Sequence, residues 1–321
     1  MTDIFCSTII PTIARSTLEQ SVRSVLEQSF SQASFEVIVV NDSGQPLAEE
    51  AWLRSEGVQV IRTDHLERST ARNTGAAIAQ GKYLHFLDDD DCLLPGALQA
   101  FWALAQSSQA DWLYGSSQLV DRHETPLIDL YPGMGGACFI QVMAGEWIPL
   151  QASLIRTDAF LAVGGFTPGM HATEDVDLCR RIALRGDLAF SQELVARISM
   201  GRENSSTDVS RASEFSRRAR EKILNEPGVF NRMRFSAESS DWLGRITRIY
   251  LTSALWNVRH RRGFTAASRM MYGAASLLLA GRSLFSARYW QAVARTYQSE
   301  TFAHGFQKSA PVVIPKSHIP E

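Results

Sequence analysis

The stretch that most limits how this chain can fold is "FEVIVV" at residues 35–40. Past Glu36 it is a continuous β-branched run, the pattern of a strand covered on both faces. Such a strand belongs in a parallel sheet with helices on either side, and the neighbouring residues supply those parts. "DIFCSTII" (3–10) reads as a buried strand ending at Pro11, "VQVIR" (58–62) as a short third strand, and "KYLHFL" (82–87) as a fourth. Between them, "STLEQSVRSVLEQ" (16–28) reads as a helix. Ser16 and Glu19 have capping-box spacing, and Leu18, Val22, Val25 and Leu26 share one face. "STARNTGAAIAQG" (69–81) is a helix of small residues closing on Gly81, and "LPGALQAFWALAQ" (94–106) a helix with Pro95 in its first turn. This rhythm predicts an α/β fold with a Rossmann-like, mostly parallel central sheet. Ligands then bind outside the carboxyl ends of the strands. Thr12, Asp42 and the aspartates at 88–91 sit at those ends.

The rest of the chain is less regular. "DWLYGSSQLVD" (111–121) reads as a strand and "PGMGGACF" (132–139) as a Gly-rich loop. "LQASLIRTDAFLAVGGF" (150–166) reads as strand, short helix and turn. "TEDVDLCRRIALRG" (173–186) reads as a helix with Thr173 as N-cap and Gly186 as stop. "GRENSSTDVSRASE" (201–214) is loop-like. A helical region follows from 212 to 300, broken near "NEPG" (225–228) and "RRGF" (261–264). The Pro-rich tail "QKSAPVVIPKSHIPE" (307–321) reads as disordered. The expected partition is an α/β unit at 1–205, a helical, basic region at 206–305, and a tail at 306–321.

Composition narrows the function classes. At 321 residues, 45% hydrophobic and 21% charged, the chain can build a sizeable core. A formal net charge of -2 gives no bulk attraction to nucleic acid. Cys6, Cys92, Cys138 and Cys179 are scattered without a CxxC pair, which argues against a thiolate metal site or a disulfide framework and fits a reducing compartment. The N-terminus lacks a basic, then apolar, leader pattern. "YGAASLLLAG" (272–281) is too short to span a bilayer. The expectation is a cytoplasmic protein. Residues 242–299 hold nine Arg and no Asp or Glu, with aromatics interleaved. That stretch reads either as a peripheral contact with the anionic inner face of a membrane or as a helical appendage with Arg on its wet face.

The chemistry is concentrated in "HFLDDDDCLLPG" (85–96). Like charges about 4 Å apart repel by roughly 1 kcal/mol in water and about 4 kcal/mol near a protein surface. A divalent cation relieves that repulsion, and hard oxygen ligands suit Mg²⁺ or Mn²⁺. Mg²⁺ takes one or two carboxylates and fills its shell with substrate phosphates, so the expected ligand is a metal-bound diphosphate. The competing reading is a solvated turn before a helix. A second acidic cluster, Glu174, Asp175 and Asp177, opens a helix and carries the same ambiguity.

Four segments together carry a resemblance: "TIIPT" (8–12), "VIVVNDSG" (37–44), "ARNTGAAIAQGKYLHFLDDDD" (71–91) and "VGGFTPGMHATEDVDLCRRIALRG" (163–186). In order and separation they resemble glycosyltransferase family 2, inverting nucleotide-sugar transferases of the GT-A fold, over about residues 1 to 200. The resemblance implies a GT-A catalytic domain at 1–205 with a helical extension behind it. It implies that Pro11 and Thr12 contact the nucleotide, that Asp42 accepts the N3–H of uracil, and that Arg72 lies near the nucleotide. It implies that Asp88 and Asp90 are the D-x-D pair, Asp90 on Mn²⁺ or Mg²⁺ and Asp88 on metal and ribose. Asp89, grouped with the donor-binding residues, holds the variable position and would face solvent, and Asp91 would support from behind. Asp175 resembles the general base, and Glu174 would orient that base or the acceptor. Trp147 and Gln151 fall where the family contacts donor sugar or acceptor. Gly164 and Gly165 would admit close ligand approach, or make only a tight turn.

The partners so implied are a nucleotide-sugar donor, UDP-linked by the Asp42 reading, and a carbohydrate or lipid-linked acceptor. A role in polysaccharide or glycoconjugate biosynthesis follows. Two departures stand out: "NDSG" exchanges Ser43 and Gly44 relative to the family, and "ARISMGRENSST" (196–207) has no His, leaving Arg202 either toward the diphosphate or in solvent. The rivals are a nucleotidyltransferase, which would carry a Gly-rich loop where "IIPTIARST" has none, and a non-catalytic nucleotide-sugar binding protein.

Overall fold

A computed structural model gives the fold. It describes residues 4–47, 51–54, 57–64, 67–131, 133–144, 146–170, 173–200, 219, 222–229, 231, 233, 239–259, 261 and 263–294. The loop expected at 201–214, Arg202 within it, and the tail at 306–321 lie outside the described residues.

One sheet of nine strands organises the first 200 residues. In chain order these are β1 (Ile4–Thr12), β2 (Ser34–Asn41), β3 (Val58–Arg62), β4 (Tyr83–Phe86), β5 (Cys92–Leu93), β6 (Trp112–Val120), β7 (Pro126–Leu130), β8 (Ser153–Arg156) and β9 (Leu188–Ser199). The spatial order is β3-β2-β1-β4-β8-β6-β9-β5, with β7 beside β6. β3, β2, β1 and β4 are parallel, as the opening pattern requires. β8 then enters antiparallel between β4 and β6, and β6 pairs parallel with β9.

The double-sided burial expected of "FEVIVV" is visible residue by residue. Val37 and Val39 belong to one core cluster, with Phe5, Ile10, Tyr83, Leu87 and Phe101. Ile38 and Val40 belong to the cluster on the other face, with Ile9, Leu84, Phe86 and Phe166. The period-2 alternation of a strand splits one apolar run between two cores.

The helices of this half are α1 (Leu18–Leu26), α2 (Arg68–Ile78), α3 (Ala97–Ser107), α4 (Phe139–Met143), α5 (Thr157–Ala162) and α6 (Glu174–Ala183). Several local expectations are corrected. The Ser16–Glu19 box does not form: Thr17 is the α1 N-cap and makes no side-chain cap bond, while the Arg23 Nε donates to Glu19 Oε1 at 2.7 Å. Gly81 is not a helix stop, since α2 ends at Ile78 and passes into extended Ala79. Gly81 is small because β1 runs beside it; a Cβ there would lie 2.5 Å from the Ser7 nitrogen. Pro95 stands outside α3, which starts behind Gly96 at φ 84°. Thr173 occupies the α6 N-cap position, yet its hydroxyl makes no cap bond.

Behind the sheet come α7 (Ser239–Arg259), α8 (Gly263–Ala280) and α9 (Ala287–Ala294). They pack through small residues: a Cβ on Gly244 would lie 2.4 Å from the Tyr289 carbonyl. A buried polar knot joins the three, with Thr247 Oγ1 at 2.8 Å from both Ser276 Oγ and Tyr289 Oη. Arg245 Nε donates to the Ala144 carbonyl at 3.0 Å, tying α7 to the end of α4. No described helix is long and apolar enough to cross a membrane.

Candidate functional site

The sheet order β2-β1-β4 brings the ends of three strands together. Asp42, one residue past β2, is buried, and its amide donates to the Thr12 carbonyl at 2.8 Å. Its carboxylate accepts from Thr63 Oγ1 at 2.7 Å and from the Glu67 amide at 3.2 Å. Glu67 in turn caps α2, accepting from the Ser69 and Thr70 amides, with φ at 133°. Pro11 lies beyond Ile9–Phe86, the last β1–β4 pair, so its missing N–H leaves no gap on that side.

The four aspartates separate into distinct environments. Asp89 is buried, not turned to solvent as its variable position suggested. Its two oxygens accept from Thr12 Oγ1 and Arg15 Nη1, each at 2.6 Å. Arg15 also reaches Asp90 Oδ2 at 3.8 Å. Asp91 is buried and accepts from the Ser199 amide at 2.7 Å, while Ser199 Oγ donates to the Asp90 carbonyl at 2.8 Å. β9 therefore braces the same turn that Thr12 holds at Asp89. The carboxylates of Asp88, Asp90 and Asp91 each place an oxygen within 4.8 Å of the others. This all-oxygen donor set fits Mg²⁺ or Mn²⁺.

Asp88 is the junction. Its Oδ1 accepts from Arg72 Nη2 at 2.5 Å and its Oδ2 from Gln151 Nε2 at 3.0 Å. Burial pushes its pKa up, but Arg72 and Arg68 outweigh it and hold the carboxyl down at about 2. Gln151 is itself held from behind, because its carbonyl accepts from His85 Nε2 at 2.9 Å. Burial lowers the His85 pKa to about 4, so the ring is neutral and its Nδ1 accepts from Thr8 Oγ1 at 3.1 Å.

The same Arg72 reaches the second acidic cluster. Its Nη1 donates to Glu174 Oε1 at 2.9 Å, and its guanidinium carbon lies 5.3 Å from the centre of the Phe166 ring. Arg68 Nη1 adds a contact to the same Glu174 oxygen at 3.4 Å. Asp175, next along α6, is half-buried. Its Oδ1 accepts from the Val176 amide at 2.8 Å and its Oδ2 from Trp147 Nε1 at 3.3 Å. Burial and the neighbouring Glu174 charge raise its pKa to about 6. Asp177 turns away to Arg181 and Thr167, a contact internal to the fold.

The "VGGF" turn positions this half. Gly164 and Gly165 adopt φ 78° and 68°, and Asn73 clamps the turn both ways, Nδ2 to the Phe166 carbonyl and Oδ1 from the Phe166 amide, each at 2.9 Å. The glycines thus serve the turn. Of the expected residues, Thr12, Asp42, Arg72, Asp88–Asp91, Trp147, Gln151, Glu174 and Asp175 lie along connected contacts. Sequence reasoning missed Arg15, Thr63, Glu67, Arg68 and Ser199, whose partners are 21 to 108 residues distant. Only the closeness of Arg15 to the end of β1 signalled any of them.

Residues 7–132 match the family described as glycosyl transferase family 2. An uncharacterized glycosyltransferase of Haemophilus influenzae is 26% identical over 182 residues, covering 55% of this chain and 61% of that protein. A pre-mycofactocin glycosyltransferase of Mycobacterium tuberculosis is 30% identical over 161 residues, covering 47% of this chain and 34% of that protein. The chain spans at most 66% of the length of the curated relatives it matches. Among solved structures, S. aureus TarS 1-349 in complex with UDP-GlcNAc superposes with a TM-score of 0.57 at 15% identity, covering 87% of this chain and 92% of that one. At that identity the likeness is one of fold: the mixed α/β sheet followed by helices is the GT-A architecture of TarS.

Proposed function

We propose that this chain, whose residues 7–132 match glycosyl transferase family 2, is an inverting, metal-dependent glycosyltransferase of that family. It moves one sugar from a nucleotide-diphosphate donor, a UDP-sugar, to a hydroxyl of a carbohydrate or lipid-linked acceptor, in polysaccharide or glycoconjugate assembly. The observation that carries this reading is Arg72. One buried guanidinium binds Asp88, at the end of β4, and Glu174, which adjoins Asp175. The donor-side carboxylate and the base-side motif are thereby held on a single rigid group.

Asp42 reads the base. Its carboxylate, held by Thr63 and Glu67, is acceptor-only and so selects a base with a donor edge, such as the N3–H of uracil. Pro11 and Thr12 line the nucleotide's approach beside it. Asp90 and Asp88 hold Mn²⁺ or Mg²⁺, which when bound neutralises the departing diphosphate. Asp89, with Thr12 and Arg15, fixes the turn that carries them. Asp175 takes the proton from the acceptor hydroxyl as that oxygen attacks the anomeric carbon. A base with a pKa near 6 is ionised at neutral pH yet still basic, which is what such a transfer needs. The Trp147 indole N–H orients its carboxylate, and Glu174 keeps Arg72 in place.

UDP binding measured calorimetrically with and without Mn²⁺ tests the donor half. Asp90→Ala should weaken the metal-dependent affinity, and an unchanged value rejects its ligand role.

A further inference from the structure

We infer that the outer face of the α7–α8–α9 helices is a docking surface for an anionic lipid bilayer. The ordinary amphipathic arrangement is inverted in α8. The residues it turns inward are small or polar: Ala266, Gly273, Ser276 and Ala280. The residues it turns outward include large apolar ones. Phe264, Met271 and Leu278, seven apart and therefore on one face, are 92%, 73% and 85% exposed. Ala267 and Ala274 lie between them on the same stripe and are exposed as well. A second stripe runs along α7 through the exposed Leu251, Leu255 and Val258, and Phe285, before α9, is 92% exposed. A surface of this kind is costly in water and marks an interaction site.

Charge selects the occupant. Residues 242–299 contain no acid. Arg259 and Arg261 at the head of α8, and Arg282 and Arg288 beyond its end, are exposed. Apolar stripes between cationic ends match a leaflet whose interior takes the apolar side chains and whose anionic headgroups take the arginines. A second copy of the chain fits less well, because a two-fold contact would bring these like-charged rims together. The inference stands apart from the sugar-transfer reading and rests on none of its residues.

The test is co-sedimentation of the full chain with two kinds of vesicle, phosphatidylcholine alone and equal parts phosphatidylcholine and phosphatidylglycerol. Binding to the anionic vesicles should be about tenfold tighter or more, and should weaken with added salt. Phe264→Ser with Leu278→Ser should lose binding to both kinds of vesicle. Arg261→Ser with Arg282→Ser should reduce the preference for the anionic ones by about tenfold or more. All four positions are exposed, so both variants should melt as the parent does and turn over a UDP-sugar unchanged without vesicles. No vesicle binding, equal binding to both kinds, or variants that bind like the parent would overturn the proposal. So would a self-association that the Phe264→Ser/Leu278→Ser variant abolishes in a chain that ignores vesicles.

Discussion

Arg72 sits between two carboxylates in a buried setting, and its removal would strip each of its shortest ionic partner. Breaking a buried ion pair costs about 3–5 kcal/mol. Arg72→Ala should therefore lower the melting temperature sharply, while Arg15→Ala, where the arginine is partly exposed and the buried Asp89 keeps its Thr12 bond, should lower it less. The two perturbed carboxylates are shifted in opposite directions. Asp88 is depressed to about 2, so its contribution to stability is present above the ordinary carboxylate pKa near 4 and is lost as pH falls from there through 2. Asp175 is raised to about 6, so below that pH it is protonated and cannot accept a proton. A profile of kcat/KM against pH should show an acidic limb near 6, falling about tenfold per unit below it; a flat profile down to pH 5 would remove Asp175 from the base role. The sequence showed Asp88, Asp90 and Asp175 as acids in suggestive places. It did not show that Asp89 is buried against Thr12 and Arg15, because that depends on partners 77 and 74 residues distant.

At the scale of elements, legibility followed the hydrophobic pattern. β1, β2, β3 and β4 were readable as short apolar runs, and the mostly parallel sheet followed from the strand–helix rhythm; their spatial order, β3-β2-β1-β4, was not readable. β9 was not: "LAFSQELVARIS" mixes buried and exposed positions, and its pairing with β6 is long-range. β5 is two residues long and has no pattern of its own. Caps failed for a different reason. At Ser16 the reciprocal partner is taken, since Arg23 binds Glu19, whereas the Thr173 hydroxyl is buried without a hydrogen-bond partner. The glycines carried information of the wrong kind. Gly165 needs φ 68°, and a Cβ there would lie 2.6 Å from Asn73 Oδ1, the atom that receives the Phe166 amide. Gly165→Ala should destabilise the protein by more than about 1 kcal/mol in denaturant titration. It should also lower turnover, since the turn leads into α6 with Glu174 and Asp175.

Across the whole molecule, the sheet that carries the strand-end site is backed by helices, joined to it by the Arg245–Ala144 bond and by Trp242 against the main core among other contacts. The helices owe their own cohesion to close approach. Gly244→Ala would press a methyl onto the Tyr289 carbonyl and should cost about 1–3 kcal/mol, seen as a lower melting temperature. With the site left intact, UDP affinity should not change. The helical character of residues 239–294 was legible from composition and breaks, whereas their packing through Thr247, Ser276 and Tyr289 was not. Three scattered hydroxyls become a buried knot only once the helices are superposed.

The central claim is that Asp175 takes the acceptor proton while Asp88 and Asp90 hold the metal-bound donor. It is tested most directly by measuring UDP affinity and sugar turnover together on Asp175→Asn, with Mn²⁺ present. The account predicts UDP affinity within about twofold of the parent and a loss of turnover of roughly 10²–10⁴ or more. Turnover retained, or UDP binding lost along with it, would contradict the assignment of Asp175 as the base.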